Sequence, residues 1–253
     1  MFYIYILTFV LGLMFGSFAS MLIHRLHKKE GGIWFGRSKC PKCKHVLGAM
    51  DLVPLASYFF GKAKCRYCKK PISVFYPLLE LTMAASFVLT VYLTGVSVIH
   101  LTVFYLLLTF IFVILTFYDF LFKEIPDEVV LPSVIVSFLY LWLTGAYSVT
   151  SLSIGMAIPV AFFAFLFFGS KGKWLGGGDI RIGALMGAAL GWPFILIGLF
   201  LGYLFGAIFS MIGLLSKKLT RKSQIPFAPF LLIGTYITIF WGQRILDWYL
   251  GAM

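Results

Sequence analysis

From Phe2 to Ile23 the chain carries no charged side chain, and apolar runs of similar length recur almost to its end. A helix needs roughly 20 predominantly apolar residues to cross a bilayer. Such runs predict an all-α polytopic membrane protein. The composition agrees, with 61% hydrophobic and only 12% charged residues. In a soluble protein a net charge of +12 would suggest nucleic acid as a partner. Here the basic residues cluster between apolar runs, so they point to the positive-inside bias and to anionic lipid, with no nucleic acid expected. No basic stretch precedes the first run and no small-x-small cleavage site follows it, so it reads as a retained span.

Eight spans are expected, at about 3–23, 76–93, 98–118, 129–143, 152–168, 180–190, 193–215 and from 226 to near the end. The break between the sixth and seventh is Gly191-Trp192-Pro193, since Gly and Pro punctuate helices. The domain reading is a first transmembrane helix (1–23), a polar insertion (24–75) and a transmembrane core (76–253). Charge orients these segments. Arg25, Lys28 and Lys29 follow the first span, which places the N-terminus outside and the insertion in the cytoplasm. The loops then assigned outside, 94–97, 144–150 and 191–193, contain no Lys or Arg. Those assigned inside carry Lys123, Lys171, Lys173, Arg181 and the Lys217, Lys218, Arg221, Lys222 cluster.

The insertion holds all four cysteines, as Cys40-Pro41-Lys42-Cys43 and Cys65-Arg66-Tyr67-Cys68. Paired C-x-x-C units suit a closed tetrahedral Zn²⁺ site, and a cytoplasmic location disfavours disulfides. Two unrelated pairs or a redox dithiol are the alternatives. With few apolar residues nearby, a metal would supply most of the folding energy. His45 is expected to stand aside.

Gly176-Gly177-Gly178-Asp179 delivers a carboxylate to the head of an apolar run, and the charge-derived topology puts Asp119 on the same, cytoplasmic membrane face. Each acid has an ordinary reading: Asp179 as an N-cap, Asp119 as a helix-end residue at the interface. Together they suit general acid–base hydrolysis, because two carboxylates held close do not both ionise. The competing functional reading is a cation or proton transporter, weakened by the absence of acids in mid-span. Glu80, near the cytoplasmic start of the second span, reads as a first-turn acid stabilised by the helix dipole or as a contact for substrate. Glu124, Asp127 and Glu128 read as interface charges or as contacts for a basic ligand.

These residues fall in an order that resembles the bacterial type IV prepilin peptidases, a family of membrane aspartyl proteases. The resemblance rests on Gly16-Ser17-Phe18 with Arg25, Arg37-Ser38-Lys39 with the first cysteine pair, Pro54-Leu55-Ala56-Ser57, the second cysteine pair, and Ile72 to Glu80. It continues with Asp119, Ile125-Pro126-Asp127, Gly176 to Ile180, and Pro226-Phe227-Ala228-Pro229. It implies Asp119 and Asp179 as the catalytic pair, and cleavage of a short basic leader after glycine in prepilins or pseudopilins on the cytoplasmic face. Many members then methylate the new N-terminus with S-adenosylmethionine. Ala19-Ser20 stands where members often carry Leu-Asn, and Ala228 where glycine is common, departures that resemble the competence-pilin branch.

A helix dipole favours negative charge at its N-terminus and disfavours it at its C-terminus. With Asp179 opening one helix and Asp119 closing another among Phe117, Tyr118, Phe120, Leu121 and Phe122, Asp179 is expected to be the ionised base and Asp119 the protonated acid. Glu124, Asp127 and Glu128 are expected to attract the basic leader.

Overall fold

The computed structural model describes residues 2–28, 37–96, 98–173, 175–220 and 223–251. Lys29, Ser97, Arg221 and Lys222, which figure in the sequence reading, lie outside the described residues. Among those described, the secondary structure is helical apart from two isolated β-bridges. The long helices are α1 (Phe2–Lys28), α3 (Phe75–Thr94), α4 (Ile99–Phe122), α5 (Asp127–Leu143), α6 (Val149–Gly169), α7 (Gly177–Leu190), α8 (Phe194–Leu215) and α9 (Ala228–Gly251). They fall on the eight apolar runs. Two boundaries move in ways that matter: α4 continues past Tyr118 to Phe122, and α5 takes Asp127 and Glu128 into its first turn. Five helices, α1, α3, α4, α6 and α8, are long and apolar enough to cross a membrane.

The chain divides into two compact units, Met1–Ile114 and Leu115–Met253, and the division falls inside α4. In the first unit α1 packs against α3. The helices approach backbone to backbone. A Cβ added at Gly12 would lie 2.5 Å from the Ala84 Cα, and one at Gly16 would lie 2.6 Å from the Glu80 Cα. Small residues permit this approach, and in lipid close packing replaces the missing hydrophobic drive. Between α1 and α3 lie a short 3-10 turn (Ala49–Leu52), a short helix α2 (Ala56–Phe60) and two cysteine-bearing turns.

In the second unit the shortest of the long helices is the hub. α7 packs against α5, α6, α8 and α9, and Ile182, Leu185, Met186, Ala188 and Leu190 are buried. α8 and α9 meet through glycine as well: a Cβ at Gly234 would lie 2.6 Å from the Gly202 nitrogen. The outer faces of α6 and α8 are apolar and open, with Phe165 76% and Leu215 78% exposed. Apolar area this large and continuous marks a surface that meets lipid. α7 ends at Gly191, whose φ of +63° is the left-handed conformation that glycine adopts freely.

Candidate active site and cysteine cluster

Asp179 is positioned by the first turn of α7. Gly176 is the N-cap, in an extended conformation with φ −79°, and Asp179 is the third residue of the helix. Its side chain reaches back to accept the backbone N–H of Gly176. An acid at the third helical position can satisfy the N-cap donor in this way. Asp179 is thus not the N-cap itself. The three glycines do not adopt left-handed backbone angles; the need at this turn is for space. A Cβ on Gly178 would lie 2.7 Å from Ile125 Cγ1, so the loop after α4 packs directly on the turn.

Asp119 lies in the last turn of α4 and is 6% exposed. Its Oδ2 accepts a hydrogen bond of 3.1 Å from the backbone N–H of Ala228, the first residue of α9. The charge on Asp119 acts on Asp179, so the two carboxylates belong to one electrostatic site. The contrast expected from helix dipoles is absent. Asp119 does close α4, but its carboxylate meets the N-terminus of α9, just as Asp179 meets the N-terminus of its own helix. Both groups receive a backbone N–H, and the argument that made one the acid and the other the base loses its premise.

Asp127, in the first turn of α5, and Arg181, one turn into α7, form an ion pair of 2.8 Å, with side chains 46% and 41% exposed. Asp127 therefore already holds a cation, while Glu124 and Glu128 are exposed. Glu80 belongs to the first unit and is buried. It accepts the Leu55 N–H at 2.8 Å and bonds the Ser17 side chain. It lies beyond the first turn of α3 and ties α2 to α1 and α3. Leu55 itself sits at φ +58°, an unusual angle for a branched side chain, which the Glu80 contact helps to hold.

The four cysteines come together, with their sulfur atoms all within 4.8 Å of one another. Each pair sits in the same small turn. Cys40 N–H donates to His45 O and Lys44 N–H to Cys40 O; Cys65 N–H donates to Lys70 O and Lys69 N–H to Cys65 O, all at 2.9 Å. Burial pushes the Cys40 thiol up, but the N–H groups of Cys43 and Lys42 hold it below the usual thiol range, at about 7. A tetrahedral Zn²⁺ with bonds of about 2.3 Å separates its sulfurs by about 3.8 Å, so the cluster fits that ion. His45 stands outside the cluster, stacked on Tyr67 at 3.7 Å between ring centroids.

Three partners were not legible beforehand. The Ala228 donor is a backbone group and leaves no side-chain signal. In the sequence Arg181 reads only as an inside positive charge, although its sign is complementary to the acidic loop. Tyr203, whose buried hydroxyl has no hydrogen-bond partner among the described residues, lies in a predominantly apolar run that gives no hint of a polar role.

A helical protein with apolar outer faces, two electrostatically coupled aspartates that each accept a backbone N–H, and a separate four-cysteine cluster has parts that a membrane aspartyl protease would need. Residues 10–94 match the bacterial peptidase A24 N-terminal domain, and residues 103–211 match the type IV leader peptidase family. The chain is 33% identical over 278 residues to a prepilin leader peptidase/N-methyltransferase of Aeromonas hydrophila, covering 96% of this chain and 93% of the relative. It is 29% identical over 270 residues to the protein of that name from Pseudomonas putida, covering 96% and 92%. Against the one from Klebsiella pneumoniae it is 34% identical over 194 residues, covering 73% and 84%. No solved structure matches. The chain belongs to the type IV leader peptidase family.

Proposed function

We propose that the chain cleaves the short basic leader from type IV prepilins or pseudopilins, with Asp119 and Asp179 as an aspartyl dyad. The observation that carries this reading is the electrostatic coupling of two carboxylates, far apart in sequence, in a chain that belongs to a leader peptidase family. The family match leaves the transporter reading without support.

The dyad shares one proton. Its ionised member takes a proton from water as the water oxygen bonds to the scissile carbonyl carbon. The π pair of the C=O bond moves to the carbonyl oxygen, which takes the proton of the neutral carboxyl. When the C=O bond re-forms, a hydroxyl of the tetrahedral diol returns its proton to the ionised carboxylate, the C–N bond breaks, and the leaving nitrogen takes the proton of the other carboxyl, which restores the singly protonated dyad. The N–H groups of Gly176 and Ala228 hold the carboxylates in place throughout.

The topology belongs to the same proposal: eight crossings, the N-terminus outside and the dyad at the cytoplasmic face, supported by the distribution of Lys and Arg. α7 has 14 residues, or about 21 Å of helix, against a hydrocarbon core of about 30 Å. Asp179 at its head is therefore recessed below the membrane surface, where a pilin leader junction enters from the lipid. In the insertion, Cys40, Cys43, Cys65 and Cys68 would hold a structural Zn²⁺, which would supply folding energy to a segment with few apolar residues. Glu124 and Glu128 face the basic leader. The relatives' printed names also include an N-methyltransferase. A cleaved pilin one methyl group heavier is the mass-spectrometric sign of that second activity, with S-adenosylmethionine as methyl donor.

The test is a prepilin co-expressed with the wild type or with Asp179→Ala. The wild type is expected to give the leader-size shift on a gel and the variant none. A shift with both, or with neither, contradicts the reading.

A further inference from the structure

Tyr203 on α8 is the buried polar group that the scheme above does not use. Its hydroxyl has no hydrogen-bond partner among the described residues, although it is shielded from solvent. Buried tyrosine hydroxyls ordinarily find one. The charge of Asp179 acts on this hydroxyl, but no hydrogen bond joins the two.

The ring is fixed from three sides. Its centroid is 5.0 Å from Phe227, 5.8 Å from Phe162 and 6.5 Å from Phe163. Phe227 directly precedes Ala228, whose N–H holds Asp119. It seats where Gly206 leaves room: a Cβ there would lie 3.1 Å from Phe227 Cε2. The packing that aims Tyr203 is thus continuous with the segment that holds Asp119, and the charge of Asp179 acts on its hydroxyl.

We propose that Tyr203 is a further catalytic residue, its hydroxyl donating a hydrogen bond to the carbonyl oxygen that gains negative charge as water adds beside Asp179. This rests on the dyad reading above. No covalent bond to Tyr203 forms, and its proton stays on the phenol oxygen. Stabilisation comes from a donor fixed in advance and aimed at developing charge, in a site with little water to compete.

The test compares wild type, Tyr203→Phe and Asp179→Asn, purified in lipid, for kcat and KM on one prepilin, alongside the thermal midpoint of each protein. Phenylalanine keeps all three ring contacts. The expected result for Tyr203→Phe is a kcat lowered about 10²-fold, as for loss of an oxyanion donor, with KM and the thermal midpoint close to wild type. Full kcat in Tyr203→Phe overturns the proposal and leaves the dyad reading intact. A loss of kcat matched by a lowered thermal midpoint also overturns it, since that marks a packing role. Fluorotyrosine placed at position 203 is the second variant, with a more acidic donor in an unchanged ring. Its kcat and pH profile are expected to shift, and unchanged values count against the proposal. A wild type that does not cleave, like Asp179→Asn, removes the dyad reading itself.

Discussion

The Asp119 carboxylate accepts the backbone N–H of Ala228 at 3.1 Å, across 109 positions of sequence. The last turn of one helix is thereby fastened to the first turn of another, with a candidate catalytic group as the fastener. A hydrogen bond to a charged group contributes about 1.5–3 kcal/mol. The bond also fixes one of the two oxygens, so that the other is left for chemistry.

Ala228→Pro removes that donor while leaving a residue that a first helical position accepts. The expected outcome is at least a tenfold loss of kcat with α9 retained by circular dichroism. Ala228→Gly keeps the N–H and is expected to stay within about threefold of wild type. Equal activity in the two variants would show that the Ala228 donor does not matter.

The Gly176 to Gly178 turn should be selective about where it tolerates a side chain. A Cβ at Gly178 meets Ile125 Cγ1 at 2.7 Å, whereas at Gly177 the nearest atom within reach is Phe167 Cε2 at 3.9 Å. Overpacking costs about 1–3 kcal/mol. Gly178→Ala is therefore expected to lower both the thermal midpoint and cleavage, and Ile125→Ala in the same protein to restore part of each. Gly177→Ala should be mild. The reverse order of effects in a cleavage assay would reject this account of the turn.

The acidic loop separates into two kinds of charge. Asp127 is paired with Arg181, and exposed pairs of this kind contribute at most about 1 kcal/mol. Glu124 and Glu128 are the exposed pair left to meet a basic leader. Changing both to Gln is expected to raise KM severalfold at low salt, with the difference fading as ionic strength rises. Asp127→Asn should leave KM nearer to wild type. A KM for the double variant that does not depend on salt would remove leader attraction from the account.

Metal removal should act on the insertion alone. Purified protein is expected to contain one zinc per chain by elemental analysis. Replacing any of Cys40, Cys43, Cys65 or Cys68 by Ser should abolish it and expose the insertion to proteolysis, with the membrane helices intact. A metal-free protein whose cysteine variants resist protease as well as wild type would rule out the structural ion.

The helices were legible because lipid imposes one strong rule: apolar length. Gly191-Trp192-Pro193 divided α7 from α8 correctly for the same local reason that chains turn anywhere. The cysteine spacing was legible because metal sites are built from local turns, and the two turns here repeat one hydrogen-bond pattern. Asp119 and Asp179 stood out because acids are scarce in so apolar a chain. Their environments were not legible. The donor to Asp119 comes from the backbone of another helix, and Asp127 finds Arg181 through the packing of α5 on α7. Glu80 looked like one more acid near a helix start, but burial and the Leu55 N–H make it a tie within its own unit. Dipole reasoning from sequence assigned each acid to its own helix. It could not see that a side chain at the end of one helix can reach the beginning of the next.

The central claim is that Asp119 and Asp179 act as one unit on a peptide bond. The most direct test is kcat for leader cleavage by purified wild type, Asp119→Asn, Asp179→Asn and the double variant in the same lipid. Groups that act together are strongly non-additive: removing one costs about as much as removing both. Each single variant is expected to lose at least about 10³-fold, within the range known for such units, and the double variant to be no slower than the slower single. Wild-type kcat in either single variant, or a double variant whose loss is the product of the two single losses, would contradict the account.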